Sequence, residues 1–183
     1  MLDRPDRPDR PDRPDRPDRP APQDDVDAIV DAWSRERPDL NVRPLQVLSR
    51  ITRLARLLDQ ARGTAFSKHD LDGWEFDVLS ALRRVGKPYR LSPGALMQQT
   101  LVTSGTMTNR VDRLEQRGFV RRGPAPHDRR GVLVRLTPSG LAVVDAAMAD
   151  LLEHEQKLLA HLPVREQERL AGTLRTLLTA VEA

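Results

Sequence analysis

The sequence contains no cysteine, which excludes disulfides, thiolate metal sites, cysteine nucleophiles and cysteine-based peroxide sensing from this polypeptide. It has no apolar run long enough to span a bilayer and no apolar leader-type stretch at its start. Neither a membrane span nor a secretory signal is therefore expected, and the protein is expected in the cytoplasm. A glycine-rich phosphate loop, a His and carboxylate pair at metal-ligand spacing and a nucleophile motif are also missing, so neither an enzyme nor a cofactor is expected. The histidines, His69, His127, His154 and His161, are scattered and read as surface residues. Only His154 and His161 share a helical face, and about 10.5 Å of axial rise separates them, too far for one metal ion.

Charge, by contrast, is abundant. Charged residues make up 31% of the 183 positions and hydrophobic residues 38%, the balance of a small helical protein with much exposed surface, which oligomerisation would help to stabilise. The formal net charge is only +3, yet twelve Lys/Arg and three Asp/Glu fall between Arg83 and Arg135, so that segment carries +9 and the remainder −6. A concentrated basic block in a nearly neutral chain is the footprint of phosphate contact.

Residues 3–20 are six copies of Asp-Arg-Pro. Proline at every third position removes amide donors and nothing apolar is available to bury, so residues 1–22 read as a disordered, extended tail whose charges cancel. Residues 23–183 read as one domain in three parts: 26–66, 70–136 and 137–183. Val26, Ile29, Val30 and Trp33 follow helical spacing up to Arg37-Pro38. Pro44 opens a longer amphipathic helix with Leu45, Leu48, Ile51, Leu54, Ala55 and Leu58, which Gly63 is expected to close. Asp70 is expected to cap a third helix carrying Leu71, Trp74, Val78, Leu82 and Val85.

Ser92-Pro93 starts a short helix over 93–99, followed by a turn over 100–102. Thr103 or Ser104 caps the next helix, in which Met107, Val111 and Leu114 lie within about 60 degrees of one another. Gly118 ends it. Phe119-Val120 and Val132–Leu136 then read as two strands around a loop over 123–131. Thr137-Pro138 and Pro163 begin two last helices, the first with Leu141, Val144, Met148, Leu151 and Leu152, the second with Leu170, Leu174, Leu177 and Val181. The pattern is mainly α: helix, turn, helix, two-stranded β wing. The apolar faces of the first and last helices serve either a single core or a dimer interface, and periodicity does not choose between them.

A helix fits the major groove of duplex DNA, where base edges present distinguishable donors and acceptors. Ser104, Thr106, Thr108, Asn109 and Arg113 offer the hydroxyl, amide and guanidinium groups such reading needs. The hairpin that follows places Arg121, Arg122, Arg129 and Arg130 around a Gly/Pro-rich tip, able to reach phosphates or enter a narrow minor groove. Asp128 among them is expected to hold a neighbouring arginine and so fix the wing. Double-stranded DNA is the expected partner, read either by sequence or, as an architectural protein would, indifferently through the basic wing.

The ordered set Ser104-Gly105-Thr106-Met107-Thr108-Asn109-Arg110-Val111-Asp112-Arg113-Leu114-Glu115-Gln116-Arg117-Gly118-Phe119-Val120, His127-Asp128-Arg129-Arg130 and Leu136-Thr137-Pro138-Ser139-Gly140 resembles the MarR family over roughly residues 26–181. The resemblance implies a winged helix-turn-helix fold whose N- and C-terminal helices interlock in a homodimer. It also implies recognition helices in successive major grooves of a pseudopalindromic operator and Arg130 in the minor groove. Such a dimer is expected to repress by occluding a promoter, although the same architecture also permits activation. Trp33, the Trp74-Glu75-Phe76-Asp77 stretch and Arg110 resemble the urate-responsive branch of the family. That resemblance implies that Trp33 and Arg110 hold a small anionic effector such as urate and that Asp77 relays its binding. Arg110 lies beside the apolar stripe of its helix, so it is expected to be half-buried, with Asp77 as a partner that an anionic ligand would displace. The alternatives are a purely structural Arg110–Asp77 bridge with Trp33 in the core, and another aromatic or metabolic acid such as citrate as the ligand.

Overall fold

The computed structural model describes residues 23–125 and 128–182, with the backbone alone described for Asp128–Arg130. The tail over 1–22 and the wing tip at Pro126-His127 lie outside the described residues. Two compact units divide the chain, the first ending at Leu54 and the second beginning at Ala55.

In the first unit, α1 (Asp25–Glu36) is started by Asp24, whose carboxylate accepts from the amides of Val26 and Asp27 at 2.8 and 3.3 Å, while the Asp27 carboxylate accepts from the Asp24 amide at 2.8 Å. This reciprocal cap satisfies donors that a helix start otherwise leaves unpaired. Val26 and Val30 are buried, and Arg50 of α2 (Arg43–Ser67) binds Asp24 at 2.8 Å and Asp27 at 2.7 Å. The Arg50 guanidinium holds the Asp24 carboxyl below its ordinary pKa. Trp33 is 49% exposed, so it is not a core residue of this unit.

α2 does not stop at Gly63 as its sequence suggested. A glycine inside a helix costs only about 1 kcal/mol, and continuing to Ser67 buries Ala65 and Phe66, the latter stacked on Phe76 with ring centroids 4.2 Å apart. α3 (Gly73–Arg84) begins later than expected: Asp70 sits in a turn at φ +55°, and Asp72 takes the N-cap position. The Glu75 carboxylate accepts from the Asp72 amide at 3.0 Å.

A two-residue strand too short to leave a pattern, β1 (Arg90–Leu91), follows, then α4 (Pro93–Thr100), started by the Ser92 hydroxyl, which accepts from the Ala95 amide at 3.2 Å. Leu101 makes the turn at φ +54° into α5 (Ser104–Gln116), with Thr103 at the N-cap position but no side-chain cap bond. β2 (Val120–Ala125) and β3 (Asp128–Leu136) form the wing, and the antiparallel sheet runs β1-β3-β2. Both wing strands are longer than expected, because Gly123 and Pro124 pair with Leu133 and Val132 instead of looping out. β2 lies at the sheet edge, where proline's missing donor is tolerated.

The core of the second unit gathers Leu79 and Leu82 of α3, Leu96 of α4, Met107, Val111 and Leu114 of α5, Val120 and Val134 of the wing, and Val144 and Ala147 of α6 (Pro138–Leu159). The three α5 residues are the stripe that periodicity picked out. α6 is tied to the end of α5 by Thr137, whose hydroxyl accepts from the Gly140 amide at 3.0 Å and lies 2.7 Å from the Gly118 carbonyl oxygen. A Cβ built on Gly140 would lie 2.0 Å from the Phe119 carbonyl oxygen, so the backbones meet there too closely for any side chain. Gly140→Ala is expected to lower stability by about 1–3 kcal/mol, read as a fall in the urea midpoint. An unchanged midpoint would mean that the junction yields freely.

α7 (Val164–Glu182) closes the described chain and contains no buried residue. Its stripe of Leu170, Leu177 and Val181 is exposed, Val181 to 86%.

Candidate nucleic-acid interface and ligand cavity

The two faces of α5 carry different residues. Ser104, Thr106, Thr108, Asn109 and Arg113 are all exposed on one short helix, with Asn109 and Arg113 opposite the buried stripe. Two of their hydroxyls are locally engaged: Thr106 Oγ1 lies 3.0 Å from Thr103 Oγ1, and the Thr108 hydroxyl donates to the Ser104 carbonyl at 3.2 Å. The Arg113 side chain is 57% exposed, with its guanidinium over the Trp74 ring, 4.8 Å from the centroid.

In the wing the sheet registers Arg121 opposite Arg135, and Arg135 opposite Arg90, on the face turned away from the buried Val120, Val134 and Leu136. Directly opposed residues share a sheet face and like charges there repel. The three arginines thus form an exposed cationic row with no ion pair among the described residues. Sequence reasoning found Arg121 but missed Arg90 and Arg135, because the row exists only once β1 is known. Arg122 was read as a wing cation on offer, and the structure corrects this. It binds Asp112 at 2.6 Å and Glu115 at 2.9 Å, and its backbone amide donates to Glu115 at 2.8 Å, locking the wing to α5. Arg129, Arg130 and Asp128 lie on β3 by their backbone, and the tasks given to their side chains fall outside what is described.

The C-terminal end of α5 is also anchored by a pair that sequence reasoning did not foresee. Arg117 donates to the Glu75 carboxylate at 2.5 Å and to both the carbonyl and the carboxylate of Asp70, at 2.5 and 2.7 Å. The Glu75 side chain is only 1% exposed, and its Oε1 has no hydrogen-bond partner among the described residues. A residue pair 42 positions apart leaves no periodic signal in a sequence.

A cavity of about 680 Å³ opens beside α3, lined by Asp59, Arg62, Phe66, Trp74, Phe76, Asp77, Ser80, Arg84 and Gln99 among others. Asp77 is there, as expected, but its predicted bridge to Arg110 is not formed. Arg110 instead stacks over Trp74 at 5.5 Å, and the cations around Asp77 are shared among Arg110, Arg62 and Arg84. A guanidinium seated on a ring is held without a carboxylate. Arg62 in turn binds Glu155 at 2.7 Å. Trp33 belongs to the first unit. His69, read as a surface residue, lies 2.9 Å from Asp150, and α6 ends before His161, so His154 and His161 do not share a helix. No cluster of metal-ligating side chains occurs among the described residues, and no helix among them is long and apolar enough to cross a membrane.

Burial raises the Asp77 carboxyl above its ordinary pKa, opposed first by Arg110 and then by Arg62 and Arg84. Asp77 reaches water through the cavity it lines, but the surrounding protein still disfavours its charge. A carboxyl raised in the folded state binds its proton more readily there than in the unfolded chain, so it favours folding at low pH and opposes it above the raised value. Asp77→Asn is therefore expected to be more stable than the wild type at neutral pH. Urea midpoints measured against pH should show the advantage shrinking as pH falls through the carboxylate range, and a pH-independent gap would contradict this cause.

Residues 69–131 match the model of the MarR family. The chain is 40% identical over 158 residues to the HTH-type transcriptional regulator PecS of Dickeya dadantii, covering 86% of this chain and 93% of that protein. Among solved structures, a cysteine-to-serine variant of MarR from E. coli complexed with operator DNA is similar with a TM-score of 0.64 and 28% identity, covering 80% of this chain and 97% of that one. Sco5413, a MarR family transcriptional regulator from Streptomyces coelicolor, is similar with a TM-score of 0.65 and 25% identity, over 78% and 97% of the two chains.

Proposed function

The chain belongs to the MarR family of winged helix DNA-binding transcriptional regulators, in its PecS-like branch, and from that premise we propose that it is a homodimeric repressor released from its operator by a small anionic ligand such as urate. The observation that carries the DNA reading is the exposed set of Ser104, Thr106, Thr108, Asn109 and Arg113 on α5, a helix to which Arg122 locks the strand that also carries Arg121. Base edges are read by hydroxyl, amide and guanidinium groups on a helix, and phosphates by cations beside it. Ser104, Thr106, Thr108, Asn109 and Arg113 take the first task. Arg121 takes the second, joined by Arg129 and Arg130 toward the wing tip, with Asp128 steadying them.

Dimerisation is supported by the apolar side chains each unit leaves in solvent. The first exposes Ile29, Val47, Leu48, Ile51 and Leu54, and the second exposes Leu170, Leu177, Leu178 and Val181 on α7. Patches of this kind on a small protein mark an interaction surface, and most such oligomers are twofold symmetric.

The ligand reading rests on the cavity. Its 680 Å³ falls in the range of small-molecule sites, its aromatic walls suit a flat ring, and Arg84, which has no ion pair among the described residues, suits an anion. Asp77 lines it, and Arg110, which lines the cleft on Trp74, and Trp33 are assigned to the same response by their likeness to the urate-responsive branch. The test is an electrophoretic mobility titration on the chain's own upstream intergenic DNA against a scrambled duplex, repeated with increasing urate and, in parallel, citrate. Tight binding released by urate supports the proposal. Tight binding indifferent to urate keeps the regulator and discards that ligand, and a urate response intact in Trp33→Ala removes Trp33 from the site.

A further inference from the structure

Trp74 stands where two parts of the molecule meet. Its ring lines the 680 Å³ cavity, and it also lines a second, shallower cleft of about 250 Å³ formed with Thr106, Asn109, Arg110 and Arg113 of α5. Both arginines lie over it, Arg113 at 4.8 Å and Arg110 at 5.5 Å from the ring centroid. The ring itself is held in orientation, since its Nε1–H donates to Asp72 Oδ2 at 3.0 Å, and that same oxygen lies 3.9 Å from the Arg113 guanidinium. An aromatic face fixes a guanidinium electrostatically without using up its hydrogen-bond donors. Arg113 is thus seated with its N–H fork still available, while its exposed position on α5 keeps it in reach of a base edge.

We propose that Trp74 is a positioning residue for DNA reading: its indole seats Arg113 before DNA arrives, and because the same ring walls the cavity, a ligand that moves it unseats Arg113. This rests on the reading of α5 as the DNA-reading helix and deepens it by naming the part through which occupancy of the cavity reaches that helix. Preorganisation raises affinity by lowering the ordering cost of binding. Losing the platform therefore weakens specific binding, where the guanidinium must hold one orientation, more than it weakens phosphate-driven binding to any duplex. It also removes the route by which a ligand lowers that affinity, because a coupling between sites requires an element that both ligands bias.

The experiment is a set of fluorescence-anisotropy titrations on labelled upstream intergenic DNA and a scrambled duplex, with and without urate, for the wild type, Trp74→Phe, Trp74→Leu, Arg113→Ala and the double variant Trp74→Leu with Arg113→Ala. Arg113→Ala should lose about tenfold or more in affinity for the intergenic duplex. Trp74→Leu should lose about three- to fivefold on that duplex alone, as the loss of a cation–π contact predicts, with a reduced release by urate. Trp74→Phe, which keeps a ring, should stay within about twofold of the wild type, and the double variant should bind like Arg113→Ala. Additive losses in the double variant overturn the proposal, as do equal damage from Phe and Leu, or losses of the same size on both duplexes. Wild-type binding by Arg113→Ala instead removes the assignment of Arg113 as a base reader, which separates failure of the underlying reading from failure of the role given to Trp74.

Discussion

Arg117→Ala is expected to cost about 3–5 kcal/mol of stability, because it strips the partner from a buried carboxylate. Glu75 is 1% exposed and, among the described residues, has only the Asp72 amide besides Arg117 to stabilise it, with one oxygen lacking a partner there. In a domain of this size the loss should appear as a fall in melting temperature of about 10 °C or more. The same substitution frees Asp70 and the turn that leads into α3, so α5 also loses the anchor at its C-terminal end. The double variant Glu75→Met with Arg117→Met separates the causes. Replacing both members of a buried pair by apolar side chains is often near neutral, so the double variant should recover most of the melting temperature. If it melts as low as Arg117→Ala, the damage lies in the lost Asp70 contacts and not in a stranded charge.

The second large effect concerns assembly. Leu177→Glu places a carboxylate in the middle of the α7 stripe of Leu170, Leu177 and Val181, which no described residue buries. If that stripe is a dimer contact, the charge splits the dimer while leaving each protomer folded. A protomer holding one half-site then loses the advantage of simultaneous engagement, on the order of 100-fold or more in operator affinity. Sedimentation equilibrium and an anisotropy titration on the intergenic duplex check both halves. A variant that remains dimeric and binds as the wild type would remove α7 from the interface.

What was legible in the sequence follows from how far apart the interacting residues stand. α5 was legible because Met107, Val111 and Leu114 repeat at helical spacing and one helix defines both its buried and its exposed face. The start of α6 was legible because Thr137-Pro138 is a local cap, and Gly140 gains its meaning from an approach to Phe119 that only the folded backbone reveals. Local signals misled where a stronger term overrode them. Gly63 did not end α2 because burial of Phe66 outweighed its cost, and Asp70 did not cap α3 because Asp72 stood two residues on.

The site was less legible than the fold for the same reason. Its reading helix is local, whereas the seating of Arg110 and Arg113 on Trp74, the Arg117–Glu75 pair and the row of Arg90, Arg135 and Arg121 are contacts between elements. Arg110 and Asp77 were singled out together, and they do lie near enough for the charge of one to act on the other, yet each keeps a different neighbour. Arg122 illustrates the opposite error. As a residue type it looked free to meet phosphate, and only the fold shows that two acids of α5 already hold it.

The most direct measurement is the ratio of affinities for the upstream intergenic duplex and a scrambled duplex of the same length and composition, at one fixed salt concentration. A helix that reads base edges should favour the former by about 1,000-fold or more. A ratio near one would contradict the account, leaving a basic surface that binds duplex DNA without reading it.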